Sequence, residues 1–531
     1  MTSPENEAHS HDSRKVPVLL TSVFIIAVCG ILYELLISSI SSYFQGSSIL
    51  HFSIVIGLFL SFMGVGSYLT RFLNNNLLTW FIFFEILLSI AGGFSTFILY
   101  FAFSLTPYFY GVAFILIAFL GTMIGLEIPI LTRIVRDYES MKDAMAKVLS
   151  FDYLGALLAS VVFPLVLLPS LGLMRTAFLI GMLNLVVAIL NIWLFRKELN
   201  NYRQQLVLSG IVMFALAGGF AGSFAITGFF ERFLYQDEIM LSRQSAYQQI
   251  VVTKWNQDIR LFIDGNLQFS SRDEYRYHEP LIHVPMIAAQ NRSHILVLGG
   301  GDGLAVREIL KYKDVKTIDL VDLDPEMTHL GKHHPVIVRL NDSSLNHPSV
   351  HIHNLDAYKF VEESSDFYDV VIIDLPDPNN TGLGKLYSKE FYFLLQKRLA
   401  TGGVVVTQST SPYYAQKAFW CIHHTLESIF PYASAYQVYV PTFGQWGFNM
   451  AVRYPENFSA DMGDFDPKIE EKVKKHLDSV GGEMNLRYLN PETVSALFTF
   501  DGDTKEIETE INRLDNQALI RYYEKSWNEW R

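Results

Sequence analysis

Cysteine is nearly absent from this chain of 531 residues, which carries only Cys29 and Cys421, far apart in sequence. Two cysteines at that separation supply neither a disulfide framework nor the paired thiolates of a zinc site, and they are compatible with reducing surroundings. Two pairs of nearby histidines have the spacing of metal ligands, His333-His334 and His351/His353. Because no companion cysteine or acid cluster accompanies them, we predict no metal site and interpret them as surface or strand residues.

Positive charge is also scarce. The chain has 41 Lys and Arg residues against 53 Asp and Glu, a formal net charge of −12 at pH 7. It contains no basic stripe with interleaved aromatic residues, which is the pattern of a surface that binds nucleic acid. We therefore predict no nucleic-acid partner.

Apolar residues, in contrast, are abundant and unevenly distributed. They make up 50% of the chain, and nearly all of the excess precedes residue 231. Seven stretches there reach the roughly 20 residues that cross a bilayer as a helix. They are Val16–Ile40, Leu50–Leu73, Leu77–Phe101, Tyr108–Leu131, Val148–Leu168, Leu173–Phe195 and Leu206–Phe230. These stretches predict an α-helical membrane domain with many spans, which makes the lipid bilayer a partner.

The loops between these stretches differ in charge. One side holds ten basic residues, namely Arg14, Lys15, Arg71, Arg133, Arg136, Lys142, Lys147, Arg196, Lys197 and Arg203. The other side holds only Arg175. Because basic loops stay in the cytoplasm, the amino terminus is predicted to be cytoplasmic and the protein to be a multi-pass protein of the inner cell membrane.

Four acidic residues lie within the apolar stretches, namely Glu34, Glu85, Glu127 and Asp152. Acids inside a membrane are costly, and they usually face a bundle interior or an aqueous cavity. One interpretation is a path or site for a cation. The alternative is a structural role in hydrogen bonds between helices, or a position at the membrane interface.

The second half of the chain has the pattern of a soluble α/β protein. Strand-like runs at Gln249–Val252 and Arg260–Ile263 flank turn residues, which predicts a small β-sheet subdomain. After residue 291, apolar runs alternate with helical stretches, which predicts a Rossmann-like, doubly wound parallel sheet. The predicted strands are Ile295–Leu298, Thr317–Val321, Val350–His353, Val370–Ile373 and Gly403–Thr407.

These patterns divide the chain into five regions. We predict a cytoplasmic tail at 1–15, a transmembrane domain of about seven helices at 16–230 and a β-sheet subdomain at 231–290. The Rossmann-like domain follows at 291–455, and a helical extension occupies 456–531.

The glycine-rich turn after the first strand of the Rossmann-like domain is the most informative local feature. It reads Gly299-Gly300-Gly301-Asp302-Gly303, and Asp322 follows the next strand about twenty residues later. Glycines let a backbone approach a ligand closely, and a carboxylate at the second position can accept both ribose hydroxyls. A loop that binds phosphates does not normally carry an acid such as Asp302. That acid therefore predicts a nucleoside ligand with a cationic group nearby.

Four separated segments resemble the polyamine aminopropyltransferases, or spermidine synthases. They are Tyr247-Gln248, the segment 272–279 (RDEYRYHE), the glycine loop with Arg307-Glu308, and the segment 374–378 (DLPDP). Their order and spacing match that family over about 230–455. The apolar first half and the segment Asn512–Asp515 resemble its membrane-bound bacterial branch, so the resemblance covers nearly the whole chain.

The resemblance implies an enzyme that moves an aminopropyl group from decarboxylated S-adenosylmethionine to an amine, most simply putrescine. The products would be spermidine and 5′-methylthioadenosine, with no cofactor beyond the co-substrate and with a homodimer as a possible assembly. It also implies residue roles. Gln248, Asp322, Asp356 and Ala357 would bind the donor nucleoside, with Asp356 taking the adenine amino group. The aminopropyl group and the amine would meet Tyr277, His278, Asp302 and Asp377.

Asp374 is the predicted catalytic residue. An amine is an ammonium ion at neutral pH and cannot attack carbon until it loses a proton, which a carboxylate within hydrogen-bond reach can accept. The leaving thioether departs from a sulfonium as a neutral group and needs no acid. Positioning of nitrogen, carbon and sulfur in line is the remaining task. The segment Pro378–Leu386 is predicted to be a loop that closes over the site.

Two segments depart from the family pattern on the acceptor side. Soluble relatives carry a tyrosine in a Pro-Thr-Tyr segment where this chain has Pro441-Thr442-Phe443. Many also have a glutamate after the last core strand, where this chain has Gln408-Ser409-Thr410. A diamine presents two cations, so the loss of an acid and a hydroxyl leaves the identity of the acceptor open.

Two other functions remain alternatives. The same sheet serves small-molecule methyltransferases, but Asp302 would repel the carboxylate of intact S-adenosylmethionine. A polyamine transporter or sensor would need only a ligand-binding soluble domain, which the retained Asp374 and Asp377 disfavour. Location is a separate question. Seven spans after a cytoplasmic amino terminus would place residue 231 outside the cell, whereas the donor is cytoplasmic. We expect a cytoplasmic catalytic domain on that ground.

Overall fold

A computed structural model describes residues 15–45, 48–235, 237–454, 465–480 and 484–530. The chain divides into two compact units, Met1–Ile239 and Met240–Arg531. Apart from Lys15, the predicted cytoplasmic tail lies outside the described residues. The boundary of the membrane domain predicted at residue 230 falls inside a helix that continues to Tyr235.

The first unit is helical. Its helices are α1 (Lys15–Gln45), α2 (Ser48–Leu69), α3 (Leu77–Gly93), α4 (Ser95–Leu105), α5 (Phe109–Arg136), α6 (Met141–Val162), α7 (Leu168–Leu194) and α8 (Tyr202–Tyr235). A short 3₁₀ helix extends α2 over Thr70–Phe72, and a π-helical turn at Phe163–Leu167 joins α6 to α7. Each of the seven apolar stretches is therefore helical over most of its length, and the third is split between α3 and α4.

Length and apolarity make five of these helical segments candidates to cross a membrane, or six when the pair α3 and α4, bent by 40°, is taken as one. One candidate, Met141–Leu194, has 54 residues and contains the fifth and sixth predicted stretches. At 1.5 Å per residue it would extend about 80 Å, far more than a bilayer core of about 30 Å. Its backbone leaves helical geometry at Gly172, where φ is 71° and ψ is 176°.

Small residues bring helices α2 and α5 into close contact. A Cβ atom added at Gly66 would overlap the carbonyl of Thr122, and one added at Gly125 would overlap the backbone of Met63. Such packing is how apolar helices associate where lipid supplies no hydrophobic drive. Of the four acids within the stretches, Glu85 and Glu127 are fully buried. The interpretation as a cation path stays a prediction.

The second unit contains two sheets. The four-stranded sheet has the order β1 (Glu238–Gln244), β2 (Gln249–Trp255), β3 (Asp258–Ile263) and β4 (Asn266–Ser270). Both strands predicted in this region are confirmed, and they pair antiparallel as β2 and β3. Tight turns join the strands, and non-glycine residues with positive φ lie in them, Asn256 at 58° and Asp264 at 48°. The predicted subdomain 231–290 also contains a helix, Glu274–Ala288, that the alternation of apolar residues did not indicate.

The larger sheet has seven strands. They are β5 (His294–Gly299), β6 (Thr317–Val321), β7 (Val350–His353), β8 (Tyr368–Asp374), β9 (Leu399–Gln408), β10 (Ala433–Val440) and β11 (Gly444–Val452). Their order is β10-β11-β9-β8-β5-β6-β7. All five predicted strands are present and parallel. The prediction of an entirely parallel sheet is wrong, because β11 runs antiparallel to both β9 and β10. Only three residues join β10 to β11, and a link that short requires an antiparallel hairpin.

Helices cover both faces of this sheet. They are α9 (Glu274–Ala288), α10 (Leu304–Ile309), α11 (Pro325–His333), α12 (Pro335–Leu340), α13 (Ala357–Glu363), α14 (Thr381–Gly384), α15 (Lys389–Arg398), α16 (Gln416–Glu427), α17 (Phe465–Val480), α18 (Pro491–Leu497) and α19 (Ala518–Trp530). The order of the strands reverses between β5 and β8, and ligands of such sheets bind at that point, beyond the carboxyl ends of the strands.

Glu279, which belongs to the segment 272–279, has a structural contact. Its carboxylate is buried and accepts hydrogen bonds from the backbone N–H groups of Arg487, Tyr488 and Leu489, at 2.7, 2.9 and 2.8 Å. These bonds attach α9 to the segment that leads into α18. A charged acceptor with three backbone donors is among the stronger polar contacts in a protein.

We predict that Glu279→Ala destabilises the second unit, because three backbone N–H groups, including that of the buried Leu489, lose their acceptor. The expected loss is about 3 kcal/mol, or a Tm lower by roughly 6 °C. Thermal melting of the full-length protein measures it. Glu363→Ala, at an exposed position on α13, is the matched control and should melt like the parent. A Glu279→Ala protein with the parent's Tm would contradict the role.

Candidate active site

The glycine loop follows β5 and turns the chain into α10. Gly299, Gly300 and Gly303 have φ values of 82°, 67° and 83°, which side-chain-bearing residues rarely adopt. A Cβ atom at Gly299 would overlap the backbone of Asp374, and one at Gly301 would lie 2.5 Å from Asp322 Oδ2. The loop backbone therefore lies directly against two of the predicted site residues.

Asp322 follows β6 and is partly exposed. Its Oδ2 accepts a hydrogen bond from the backbone N–H of Gly301 at 3.0 Å, and its Oδ1 accepts one from Asp324 N–H at 2.9 Å. Burial raises the pKa of Asp322 to about 6, aided by the neighbouring charges of Asp324 and Asp302 and opposed by the two backbone donors. Because a carboxylate has about four acceptor sites, two remain for the ribose hydroxyls.

Asp302 lies inside the loop and is buried. Its Oδ1 accepts a hydrogen bond from Leu304 N–H at 2.8 Å, at the start of α10. Burial raises the pKa of Asp302 to about 6, while the cationic His278 opposes that rise. The charge of Asp374 adds to the rise in this pKa. A ligand cation at this point would stabilise the negative charge of Asp302, which His278 offsets only in part.

Asp374 is the last residue of β8 and pairs with Gly299 across the switch point. Its Oδ1 accepts a hydrogen bond from the Tyr277 hydroxyl at 2.6 Å. Burial raises the pKa of Asp374, and the charge of His278 and the Tyr277 donor oppose the rise. The other oxygen, Oδ2, faces the loop, since a Cβ atom at Gly300 would lie 3.2 Å from it. Tyr277 thus fixes one oxygen, and the loop glycine leaves space at the other.

His278 is held one helical turn from Glu274. Its Nδ1 lies 2.9 Å from both the carbonyl oxygen and Oε2 of Glu274, and Arg307 donates to both carboxylate oxygens of Glu274 at 3.1 and 2.9 Å. Burial lowers the pKa of His278, but the Glu274 contact outweighs it and raises the pKa to about 9. His278 is therefore an imidazolium at neutral pH, and its charge offsets those of Asp302 and Asp374. Its predicted place in the amine site stays a prediction.

Asp377 lies three residues after the end of β8, and a distant part of the chain contacts it. Its Oδ2 accepts hydrogen bonds from Thr410 Oγ1 at 3.2 Å and from Tyr523 Oη at 2.9 Å. Its Oδ1 is buried without a partner among the described residues. Burial raises the pKa of Asp377 to about 6 despite these donors. Sequence reasoning missed Tyr523, and the amphipathic pattern of 518–530 was the only signal that this helix packs on the sheet domain.

Asp356 has a different environment from the one expected. Its Oδ1 caps α13 by accepting from Tyr358 N–H and Lys359 N–H, and its Oδ2 lies 2.6 Å from Lys385 Nζ. Burial raises the pKa of Asp356, but the Lys385 hydrogen bond and the backbone donors outweigh it and lower the pKa. Ala357 is buried beside it. Contact with adenine stays a prediction, and it requires Lys385 to move or to share this carboxylate.

Gln248 lies at the amino end of β2, in a turn organised by Ser245. The Ser245 hydroxyl donates to Asp324 Oδ2 at 2.7 Å, and the Gln248 side chain also hydrogen-bonds Asp324. Asp324 N–H in turn donates to Asp322, so these contacts link Gln248 to the acid after β6. Contact of Gln248 with the nucleoside stays a prediction. In the described ranges, no three His, Cys, Asp or Glu side chains are grouped so as to hold a metal ion.

The predicted closing loop, Pro378–Leu386, is partly ordered into α14 and a following 3₁₀ turn, Lys385–Tyr387. Asn380 caps α14 by accepting from Leu383 N–H at 2.9 Å. The side chain of Asn512 donates to the carbonyls of Gly384 and Tyr387, both at 3.1 Å. The loop is therefore tied to the carboxyl-terminal extension.

Comparison with known proteins relates the chain to one family. The family profile of the spermine/spermidine synthase domain matches residues 274–478. The chain is 44% identical over 510 residues to a polyamine aminopropyltransferase of Leptospira interrogans, covering 96% of this chain and 98% of that protein. It is 42% identical over 518 residues to polyamine aminopropyltransferase 2 of Ralstonia nicotianae, with coverage of 96% and 98%. A crystal structure of spermidine synthase with the transition-state analogue AdoDATO is 26% identical, with a TM-score of 0.43 over 50% of this chain and 86% of that one.

We predict that Gly301→Ala weakens binding of an adenosine-containing ligand, because the added methyl group would lie 2.5 Å from Asp322 Oδ2. Calorimetric titration of the full-length protein with 5′-methylthioadenosine should give a Kd raised about tenfold, equivalent to about 1.4 kcal/mol. Gly502→Ala, where nothing lies within 4 Å of the added atom, is the matched control. Equal affinities for the two variants would show that Asp322 is not beside the nucleoside.

Proposed function

The chain belongs to the polyamine aminopropyltransferase family, and on that premise we propose that putrescine is its acceptor amine. The protein is an enzyme that transfers an aminopropyl group from decarboxylated S-adenosylmethionine, its co-substrate, to an amine. With putrescine, the products are spermidine and 5′-methylthioadenosine. The observation that carries the proposal is the group of acids at the switch point, the buried Asp302 with the half-buried Asp374 and Asp377, because a diamine and an aminopropyl chain are both cations.

Asp374 is proposed as the group that receives the proton of the attacking amine. Its carboxylate lies at the end of β8 with Oδ1 held by Tyr277, so Oδ2 is the oxygen available to the ammonium. Burial raises the pKa of Asp374 and makes it a better proton acceptor than an exposed aspartate. The amine nitrogen then attacks the aminopropyl carbon next to sulfur, the C–S bond breaks, and its electron pair neutralises the sulfonium.

Asp302 is proposed to select the donor. Its buried carboxylate would pair with the ammonium of the aminopropyl chain. Intact S-adenosylmethionine carries a carboxylate on the same chain, which would face that acid in a poorly solvated pocket. Two carboxylates brought together in such a pocket repel each other by several kcal/mol, so the decarboxylated donor is favoured.

Asp377 is proposed to hold the second cation of the amine. Its buried Oδ1 has no partner among the described residues, and an unsatisfied buried acceptor costs about 1–3 kcal/mol. The distal ammonium of a diamine satisfies it. A monoamine would leave it unpaired, which supports a diamine rather than a monoamine as the acceptor.

We further propose that the first unit anchors the enzyme in the inner membrane. Five to six helical segments have the length and apolarity to cross, and the basic residues of its loops favour a cytoplasmic amino terminus. Because the donor is a cytoplasmic metabolite, the catalytic unit is proposed to face the cytoplasm. Whether Met141–Leu194 crosses once, twice or as a re-entrant pair then decides the topology. Transport through this unit and a homodimer stay predictions.

A pair of reporter fusions tests this topology. Green fluorescent protein fused after Arg531 should fluoresce, and alkaline phosphatase at the same position should be inactive, because the former folds in the cytoplasm and the latter requires oxidising surroundings. Fusions after Gly172 supply the comparison within the long candidate segment. Active phosphatase after Arg531 would place the catalytic unit outside and contradict its proposed location.

We predict that full-length protein in detergent releases 5′-methylthioadenosine with decarboxylated S-adenosylmethionine and putrescine, and that Asp374→Asn lowers kcat at least a hundredfold. The asparagine keeps the shape of the side chain but cannot accept the proton, and positioned general bases contribute about 10²–10⁴. Asp366→Asn, on an exposed loop, is the control and should keep the parent's rate.

The two parts of the proposal fail separately in that assay. Turnover only with intact S-adenosylmethionine would indicate a methyltransferase. A higher kcat/KM with another amine than with putrescine would overturn the acceptor alone, and an undiminished rate for Asp374→Asn would overturn the catalytic assignment.

A further inference from the structure

The carboxyl-terminal segment is a fixed part of the second unit. Asn512 is buried, and its side chain donates to the carbonyls of Gly384 and Tyr387, while its backbone carbonyl accepts from Lys389 N–H at 2.9 Å. At the start of α19, Ala518 and Leu519 are fully buried in the core cluster that contains Tyr387. Helix α19 therefore begins from an anchored position.

From that anchor, α19 covers the carboxyl ends of two neighbouring strands. One turn after Leu519, Tyr523 reaches Asp377, which follows β8. One turn further, Trp527 stacks on Tyr414 with ring centroids 5.8 Å apart and an interplanar angle of 20°. Tyr414 belongs to the loop that follows β9. The helix thus spans the two loops that carry Asp377 and Thr410.

The position of Tyr523 coincides with the departures from the family pattern. Phe443 replaces the expected tyrosine, and its ring packs against Trp446 at 5.2 Å without offering a hydroxyl. Gln408 begins the segment in which many relatives carry a glutamate. Its side chain donates to Leu375 O and to the Tyr387 hydroxyl, both at 2.7 Å. Phe443 has no group to donate to Asp377, whereas the side chain of Gln408 is, together with two hydroxyls, among those that donate to this carboxylate. The hydroxyls that do so belong to Thr410 and Tyr523.

We propose that Tyr523 is a positioning residue for the acceptor amine, acting through Asp377. Its hydroxyl and that of Thr410 both bond Oδ2, which leaves the buried Oδ1 as the oxygen to receive the distal ammonium. This inference rests on the proposed function and adds to it that α19 completes the acceptor side. The carboxyl-terminal extension therefore sets affinity for the amine and leaves the nucleoside side unaffected.

The hydroxyl also favours the charged form of Asp377. A hydrogen bond donated to a carboxylate stabilises the ion and lowers its pKa, whereas burial raises that pKa to about 6. Removal of the donor therefore raises the pKa of Asp377 further. Since only the ionised carboxylate attracts an ammonium, the acid limb of kcat/KM for the amine should move to higher pH.

Tyr523→Phe tests the inference because it removes one oxygen and keeps the ring. In full-length protein, we expect KM for putrescine to rise about tenfold, with kcat and KM for the donor within twofold of the parent. The acid limb of kcat/KM for putrescine should shift upward. Tyr522→Phe is the matched control. Tyr522 is the adjacent residue, and its hydroxyl contacts the exposed Glu510 at 3.0 Å, so its loss should change none of these values.

The outcomes separate the possible failures. A Tyr523→Phe protein with the parent's KM for putrescine and the parent's pH profile would overturn the inference. An equal loss for donor and amine, with no pH shift, would indicate a purely structural role and overturn it as well. If Tyr523→Phe does not accumulate, Thr410→Val removes the other donor to the same oxygen and should shift the acid limb in the same direction. A parent protein inactive with every amine would instead contradict the proposed function.

Discussion

Negative charge held away from water is the constraint on which the second unit depends. Burial raises the pKa of four aspartates, Asp302, Asp322, Asp374 and Asp377. It therefore penalises the free carboxylate relative to the protonated acid or to a carboxylate paired with a cation. The surrounding structure lowers that cost without removing it. Backbone N–H groups, hydroxyls and the His278 imidazolium bond some oxygens and leave others open, and a site with partly compensated acids binds cationic substrates strongly.

The support for this charge comes from two different sources. On the nucleoside side it is local, since the glycine loop directs Gly301 N–H at Asp322 and Leu304 N–H at Asp302. On the acceptor side it is remote, since Tyr523 reaches Asp377 from 146 residues away along the chain. A further set of contacts runs from Arg307 through Glu274 to His278. It joins α10, which follows the glycine loop, to α9, which lies earlier in the chain.

The same division explains what the sequence predicts well. Apolar runs identify the central parallel strands β5, β8 and β9 most plainly, because burial on both faces leaves a continuous hydrophobic signature. The antiparallel strands β10 and β11 were missed because buried polar residues, Gln437 and Asn449, interrupt their apolar runs. The local geometry of Asp322 and Asp302 follows from a contiguous motif. The contacts of Asp356 with Lys385 and of Asp377 with Tyr523 do not, because they depend on where distant loops and helices pack. No periodicity in a single segment records such a pairing.

A site assembled in this way separates the two substrates physically. The donor pocket is formed by strand ends and a turn whose glycines permit no side chain, so its geometry is fixed with the sheet. The proposed acceptor side depends on hydroxyls from a loop and a terminal helix, which can change while the sheet stays intact. Tyr523 and Thr410 already supply hydroxyls to Asp377 on the proposed acceptor side. Replacing Phe443 or Gln408 by the residues typical of soluble relatives would therefore add further polar groups there. If the proposed roles of Tyr523 and Asp302 hold, preference among amines follows from how α19 packs, and preference for the donor follows from the glycine loop.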